Sequence, residues 1–487
     1  MSTILLQNIP ATNSGGLIRT RVAGHTRAVA AALFVAGVLL LCFPQTPLNL
    51  YDVSFALIWG RELLDGSLPN VHLWGASTPH PASILVGALA AVFDTDALTA
   101  MRTIVYLAAG AGFVALIAIG RAAQLRVLGL IAALTLAASP PFITDTLGQA
   151  TASDLPSTAA VLAAIALEAA SPRRGRGPLL LLALAGLFRP EAWVLSGAYW
   201  CYLLPTASRS DRLRFALIAA SAPLLWMGAD LALTGNPIYS LTYTQHATLA
   251  SARPTGLARA PGVLLDAFTD NLDAPVLIGA VLGALINLRT RRLPVVLAPA
   301  LLLSGACFIG LGAATLPLNE RYALPLLCFT AIFFAYFVAG WWRLDSRAYK
   351  WAWAVVAIAV AAGALAELPT SFSEIRLARD VLADQTAAER QLAKLVAPAS
   401  IRFLLRTCAP VDADWRIVPI LAFDLHRDPT TLTVLDSGIP DRGVVIEATH
   451  GVAGDFFQDI THPLASFERR SFRVVAANDD FTMYAHC

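Results

Sequence analysis

The sequence predicts a polytopic α-helical membrane protein with a small extracytoplasmic α/β domain at its carboxyl terminus. Three observations carry that expectation. Hydrophobic residues make up 57% of the 487-residue chain and charged residues only 14%, whereas soluble domains are about 25% charged. Apolar runs of membrane-crossing length recur from Ala28 to about residue 367. Beyond that point a charged helical stretch gives way to short apolar segments between turn residues. The net charge is +2, with Lys and Arg in scattered short clusters, so no sustained basic face is present and nucleic acid is excluded as a partner.

Residues 1–27 carry Arg19, Arg21 and Arg27 ahead of an apolar run from Ala28 to Phe43. Cys42-Phe43-Pro44-Gln45 offers no small-residue cleavage site, which favours an uncleaved first span with a cytoplasmic amino terminus. Further spans are expected near 97–119, 127–143, 155–171, 214–233, 294–313, 322–341 and 351–367, with shorter ones at 178–188, 192–204 and 275–288. The region 178–204 crosses twice and turns at Arg189-Pro190-Glu191, where proline supplies the break. About eleven crossings place five basic clusters on one side: Arg121/Arg126, Arg173–Arg176, Arg209–Arg214, Arg289–Arg292 and Arg343–Lys350. Residues 81–93 are too few to span and are expected on the outer surface. The transmembrane domain is then 28–367 with outer loops 44–96 and 234–274, followed by an exported domain at 368–487, in a cell (inner) membrane.

In the carboxyl-terminal region a helix is expected from Ser371 to Val396. Strands are expected at Arg416–Phe423, Thr431–Leu435, Val444–Ala448, Phe472–Ala476 and Phe481–Ala485, with turns such as Asp-Pro and Asn-Asp-Asp between them. Of six cysteines only Cys408 and Cys487 fall here. An oxidising compartment would let them form a disulfide tying the start of the domain to its end, while two free thiols is the alternative.

This topology gathers Asp52, Arg61, His80, Asp145, Asp154, Arg189, Glu191, Asn319, Glu320 and Arg321 on one face. Any one of them reads equally well as an interface anchor. Their convergence points to chemistry. A carboxylate at Asp52, just after the first span, can meet a lipid-linked reactant from the membrane and a polar one from water.

The order of motifs resembles that of integral-membrane GT-C glycosyltransferases, such as the aminoarabinose and protein mannose transferases. The similar features begin with an aspartate after the first span and a helix of the form A-x-x-x-G-R-x-L-L-x-G (Ala56, Gly60, Arg61, Leu63, Leu64, Gly66), then His80-Pro81. Ser153-Asp154-Leu155-Pro156, the stretch 184–193 (LAGLFRPEAW) and Asn319-Glu320-Arg321-Tyr322-Ala323-Leu324-Pro325 follow. Together they cover residues 28 to about 341. Where many relatives carry a second acid, this chain has Val53 and His80.

The resemblance implies a polyprenyl-phosphate sugar donor, an envelope glycan, lipid or protein acceptor, and an inverting single displacement with Asp52 as base. The leaving phosphate gains charge as the glycosidic bond breaks, so guanidinium forks stabilise the transition state over the ground state. Arg189 and Arg321 are expected to bind it. His80, Asp154 and Glu320 are expected to position acceptor or sugar, with Glu191 holding Arg189 and Arg61 supporting from behind. Asp52, Asp154 and Glu320 offer the oxygens a divalent ion would want, but no metal or other cofactor is predicted, and His80 alone is no zinc site. The rival expectation is a transporter or flippase of a lipid-linked envelope intermediate, whose charges would sit at mid-depth.

Overall fold

The computed structural model of the chain describes residues 14–43, 51–72, 76–140, 142–143, 152–344, 346–434, 440–448, 453–454 and 471–487. Asp145, the first 13 residues of the amino-terminal segment and the Leu435 end of one expected strand lie outside the described residues. Among the described residues, four helices are long and apolar enough to cross a membrane: Ala97–Ala122, Arg209–Thr234, Glu320–Ala339 and Arg347–Val396. A fifth crossing counts only if Ala260–Asn271 and Ala274–Thr290, bent by 111°, form one span. The other expected crossings rest on shorter helices. Leu128–Ala137 stands where 127–143 was expected to cross, and its 10 residues reach only about 15 Å.

The double crossing at 178–204 is two helices, Arg176–Phe188 and Glu191–Leu203, broken at Arg189-Pro190. Asp154–Ala170 packs beside Ala97–Ala122 and beside Arg176–Phe188. At the core of the bundle, Leu324–Ala339 is buried along nearly its whole length. Its uniform apolarity suits a helix surrounded by protein on all sides.

Two short helices, Tyr51–Leu64 and Pro81–Ala91, cross at backbone contact. A Cβ on Gly60 would stand 2.1 Å from the backbone nitrogen of Ala88, and one on Gly87 would stand 1.9 Å from the carbonyl oxygen of Ala56. The Ala56-x-x-x-Gly60 pattern therefore has a packing reason, because only small residues let the two backbones approach this closely. Pro81 opens its helix in the first turn, where a missing N–H costs nothing. Asp52 and His80 are thus carried by one rigid helix pair.

The helical stretch expected from Ser371 is not separate from the last span. Arg347–Val396 is one helix of 50 residues that runs through Pro369. At about 75 Å it far exceeds a hydrocarbon core of about 30 Å, so its second half stands clear of the bilayer and leads into the terminal domain.

That domain holds a five-stranded sheet in the order β2-β1-β3-β5-β4. The strands are β1 (Val411–Ala413), β2 (Thr433–Val434), β3 (Gly443–Ala448), β4 (Arg473–Ala477) and β5 (Phe481–His486). β1 runs parallel to β2 and β3, and β5 runs antiparallel to β3 and β4. The expected strand Arg416–Phe423 is instead the helix Val418–Leu425, with Pro419 in its first turn. Its β-branched residues bury against the sheet in helical form, and packing overrides their strand preference. A disulfide joins Cys408 and Cys487, whose Cα atoms are 5.5 Å apart.

The terminal domain shares a hydrophobic core with the short helices. Phe55, Ile58, Trp59 and Ile84 pack in one cluster with Leu392, Leu421 and Phe481. The Trp415 ring meets Tyr51 edge-on at 4.8 Å, so the domain sits directly on the helix that carries Asp52.

Candidate active site

Each charged residue of the site sits at a helix end. Asp52, Asp154 and Glu191 occupy the first turns of Tyr51–Leu64, Asp154–Ala170 and Glu191–Leu203, where the positive end of the helix dipole favours a carboxylate. Arg189 is the extended residue that closes Arg176–Phe188 ahead of Pro190. Arg321 lies in the 3-10 turn Glu320–Ala323, which is fixed by the Asn319 side chain accepting from the Arg321 backbone N–H at 3.1 Å.

The five side chains form one alternating chain of charge. Asp52 Oδ2 lies 2.6 Å from Arg321 Nη2. Arg321 Nε stands 3.7 Å from Asp154 Oδ2, while Arg189 Nη1 is 3.2 Å from Asp154 Oδ1 and its Nη2 is 2.8 Å from Glu191 Oε1. The Tyr322 ring underlies both cations, 3.9 Å from the Arg189 guanidinium and 5.6 Å from that of Arg321. Exposure is lowest at Asp154, 4%, and rises on either side to 22% at Glu191 and 31% at Asp52, so the chain has a buried centre and opens most at Asp52.

Several polar atoms here lack a hydrogen bond although they are buried: Asp154 Oδ2, Glu191 Oε2, Arg321 Nε and His80 Nδ1. Buried polar groups are satisfied in most folded proteins, and orphans concentrated at one place mark where a polar ligand or water completes the structure. The 3.7 Å between Arg321 Nε and Asp154 Oδ2 is too long for a hydrogen bond. A small cavity of about 40 Å³ opens there, lined by Asp154, Arg189, Glu191, Arg321 and Tyr322. It shares Val161 and Leu195 with a second, apolar cavity of about 240 Å³ that continues along Asp154–Ala170 past Ile165 and Leu182 to Glu168. From Asp154 to Glu168 the helix advances about 21 Å, so a charged head region leads into a long apolar groove.

Burial pushes the Asp52 carboxyl up, but Arg321, His80 and Arg253 outweigh it and hold it below the ordinary carboxylate value. His80 is pushed down to about 3, first by burial and then by Arg189 and Arg321, against the opposing pull of Asp52 and a hydrogen bond to the Phe188 carbonyl. It is therefore a neutral imidazole near pH 7. Its ring meets Trp226 edge-on at 5.3 Å, and Trp226 meets Trp193 in the same way at 5.6 Å.

Of the residues singled out in the sequence, Asp52, His80, Asp154, Arg189, Glu191 and Arg321 come together. Arg61 does not support this cluster. Its Nη1 donates to the Phe423 carbonyl at 3.0 Å and its guanidinium stacks on the Phe423 ring at 4.1 Å, because it lies nine residues along the helix from Asp52 and faces the terminal domain. Glu320 is half-buried at the start of its turn and does not line the cavity. Tyr322, Trp226 and Arg253 are the additions. Arg253 follows the short helix Tyr239–Ala250, and this outer segment is held by Tyr239 Oη donating to the Val71 carbonyl at 2.8 Å and Thr255 Oγ1 donating to the Leu316 carbonyl at 2.8 Å. Among the described residues no three His, Cys, Asp or Glu side chains are grouped to hold a metal ion.

No protein-family model and no curated protein sequence matches the chain. Among solved structures, ArnT from Cupriavidus metallidurans in the apo state superposes with a TM-score of 0.51 at 14% identity, over 96% of this chain and 98% of that one. The chain shares the fold of that ArnT structure over nearly its whole length. The likeness runs through the membrane bundle and the terminal domain together, which agrees with the core they share. At this identity it is a likeness of fold, and the chemistry has to be argued from the site.

Proposed function

We propose that the protein is a membrane glycosyltransferase that moves a sugar from a polyprenyl-phosphate donor to an envelope glycan, lipid or protein acceptor at the outer face. One observation carries this reading: an alternating cluster of two guanidinium groups and three carboxylates stands at the mouth of an apolar groove. A reactant with an anionic head and a long hydrocarbon tail fits both parts. The ArnT-like fold supports the same class.

In this reading the donor phosphate draws Arg321 away from Asp52 and takes up the unused donor on Arg321 Nε. Losing its partner lets the Asp52 pKa rise and frees the carboxylate to accept a proton. The acceptor hydroxyl attacks the anomeric carbon from the face opposite the phosphate and gives its proton to Asp52. As the acceptor oxygen bonds to carbon, the carbon–oxygen bond to phosphate breaks and polyprenyl phosphate leaves with both electrons. Arg189 and Arg321 stabilise the charge that grows on it. The configuration at the anomeric carbon inverts. His80, neutral and held by Trp226, orients a sugar or acceptor hydroxyl without competing for the phosphate.

The test is Asp52→Asn in purified protein, following release of polyprenyl phosphate from candidate polyprenyl-phosphate sugars in the presence of envelope acceptors in detergent. Loss of about 10²- to 10⁴-fold in turnover is expected. Unchanged turnover removes Asp52 as the base. Absence of any turnover by the wild-type chain across donors favours a carrier of lipid-linked intermediates, because no transport between compartments is possible in detergent.

A further inference from the structure

At the end of the bundle opposite the site, the amino-terminal helix Ser14–Cys42 runs beside Ala97–Ala122. They touch higher up, where a Cβ on Gly110 would stand 2.3 Å from the Ala32 carbonyl oxygen. Below that crossing a hollow of about 870 Å³ opens between them. Ala28, Phe113, Val114 and Ile117 supply apolar walls, and Arg27, Arg121 and Arg126 stand around the hollow. All three arginines are exposed, and among the described residues none has an ion-pair partner. Among the described residues, no acidic one lines the hollow.

We propose that this hollow binds an anionic phospholipid of the leaflet opposite the site, with the headgroup phosphate among Arg27, Arg121 and Arg126 and acyl chains against Phe113, Val114 and Ile117. Charge complementarity selects this occupant. Three cations without counter-ions at a membrane surface attract anionic headgroups, and basic pockets between membrane helices are suited to phosphate. Guanidinium forks pair bidentately with phosphate oxygens. An interface anchor needs only one arginine pointing into water, whereas here three converge on a concavity whose volume falls within the range of about 300–1,000 Å³ usual for ligand sites. The apolar wall distinguishes a lipid from free phosphate, since inorganic phosphate gains nothing from it. On the topology argued from the basic clusters this is the cytoplasmic leaflet. The inference does not depend on the donor or acceptor at the opposite face.

Delipidated full-length protein is titrated with phosphatidylglycerol and with phosphatidylcholine of the same acyl chains, and bound lipid is counted by native mass spectrometry. Preferential binding of phosphatidylglycerol is expected, falling about fivefold for each arginine replaced in Arg27→Gln, Arg121→Gln and Arg126→Gln. Ala118→Trp, which places an indole where the acyl chains would lie and keeps the charges, is expected to abolish the preference. Excess inorganic phosphate is expected to leave lipid binding unchanged. Protection of the buried Cys328 thiol verifies that each variant is folded. Equal binding of the two lipids, or a preference that survives Ala118→Trp, overturns the proposal. So does a preference that appears only after deletion of residues 1–13, since the hollow would then belong to the chain's own terminus.

Discussion

The two ends of the helical bundle treat charge in opposite ways. At one end Asp52, Arg321, Asp154, Arg189 and Glu191 neutralise one another in a chain of ion pairs. At the other end Arg27, Arg121 and Arg126 surround a hollow with no acid in its lining among the described residues. The difference follows from depth. A carboxylate as buried as Asp154 needs a partner to remain there, whereas arginines at the rim are solvated by water and headgroups. The paired end thus stores its cations against carboxylates and leaves the Arg321 Nε donor unused. The open end depends on what the membrane supplies.

The sharpest way to break this contrast is to remove the central cation. Arg189→Gln leaves Asp154 and Glu191 facing a neutral amide at a position only about a tenth exposed. Removing one partner of a buried pair typically costs about 3–5 kcal/mol. A clear fall in melting temperature is expected, followed through maleimide labelling of Cys328 as it becomes accessible. An unchanged melting temperature would mean that the carboxylates are hydrated in a way the geometry does not suggest.

Next in size is the contact that carries Asp52 and His80. Gly87→Leu drives a side chain into the Ala56 carbonyl, which a Cβ alone would meet at 1.9 Å. Because the obstacle is backbone, no rotamer relieves it, and a loss of about 3 kcal/mol is expected, at the upper end of overpacking costs. Gly37 has nothing within 4 Å of such a Cβ, so Gly37→Leu is the matched control and is expected to melt with the wild type. If both variants melt alike, the helix pair is not held by backbone contact.

These positions also show how far the sequence could be read. Arg189-Pro190-Glu191 was legible because proline must interrupt a helix and the flanking charges cannot lie in hydrocarbon. The same reasoning located Asp154 and Arg321 at span ends. Tyr322 was not legible, because an aromatic residue beside an arginine at a span end reads as an interfacial belt until both guanidinium groups are seen on its ring. Trp226 lies inside an apolar run, where nothing in the periodicity marks contact with His80. Arg61 misled because its place in the motif says nothing about which side of the helix faces Asp52. In the terminal domain, β3, β4 and β5 followed from short apolar runs bounded by turn residues. Ile417, Val418 and Ile420 favour a strand locally but pack as a helix, and β1, three residues long with Asp412 at its centre, carried too little pattern to find.

A smaller effect separates the site's neutral member from its ionised ones. His80 has a folded pKa near 3 against about 6.5 when unfolded. Between those values the unfolded chain binds the extra proton, so His80 contributes stability that is fully present above about pH 6.5 and is lost as pH falls below it. Asp52 has the opposite chemistry but a similar direction. Its folded value lies below the unfolded one of about 3.9, so its contribution is present above that value and is lost only in stronger acid. Glu62 and Asp424, raised by burial to about 7 and about 6, act in the opposite direction, so the contribution of His80 is read as a difference: the melting temperature of the wild type relative to His80→Gln should decline between pH 6.5 and 5. An identical slope in the variant would place the titrating group elsewhere.

The smallest effect is expected at the open end. Arg121→Gln removes an exposed charge with no ion-pair partner among the described residues, a change usually worth within about 0.5 kcal/mol. In detergent without anionic lipid, the variant should melt with the wild type. Adding phosphatidylglycerol should then raise the melting temperature of the wild type more than that of the variant, because a ligand that binds only the folded state stabilises it in proportion to its occupancy. Arg189→Gln should show the reverse pattern, a low melting temperature without lipid and a normal increment with it. Paired charge at the site would then contribute through the fold itself, and unpaired charge at the opposite end through a ligand drawn from the bilayer.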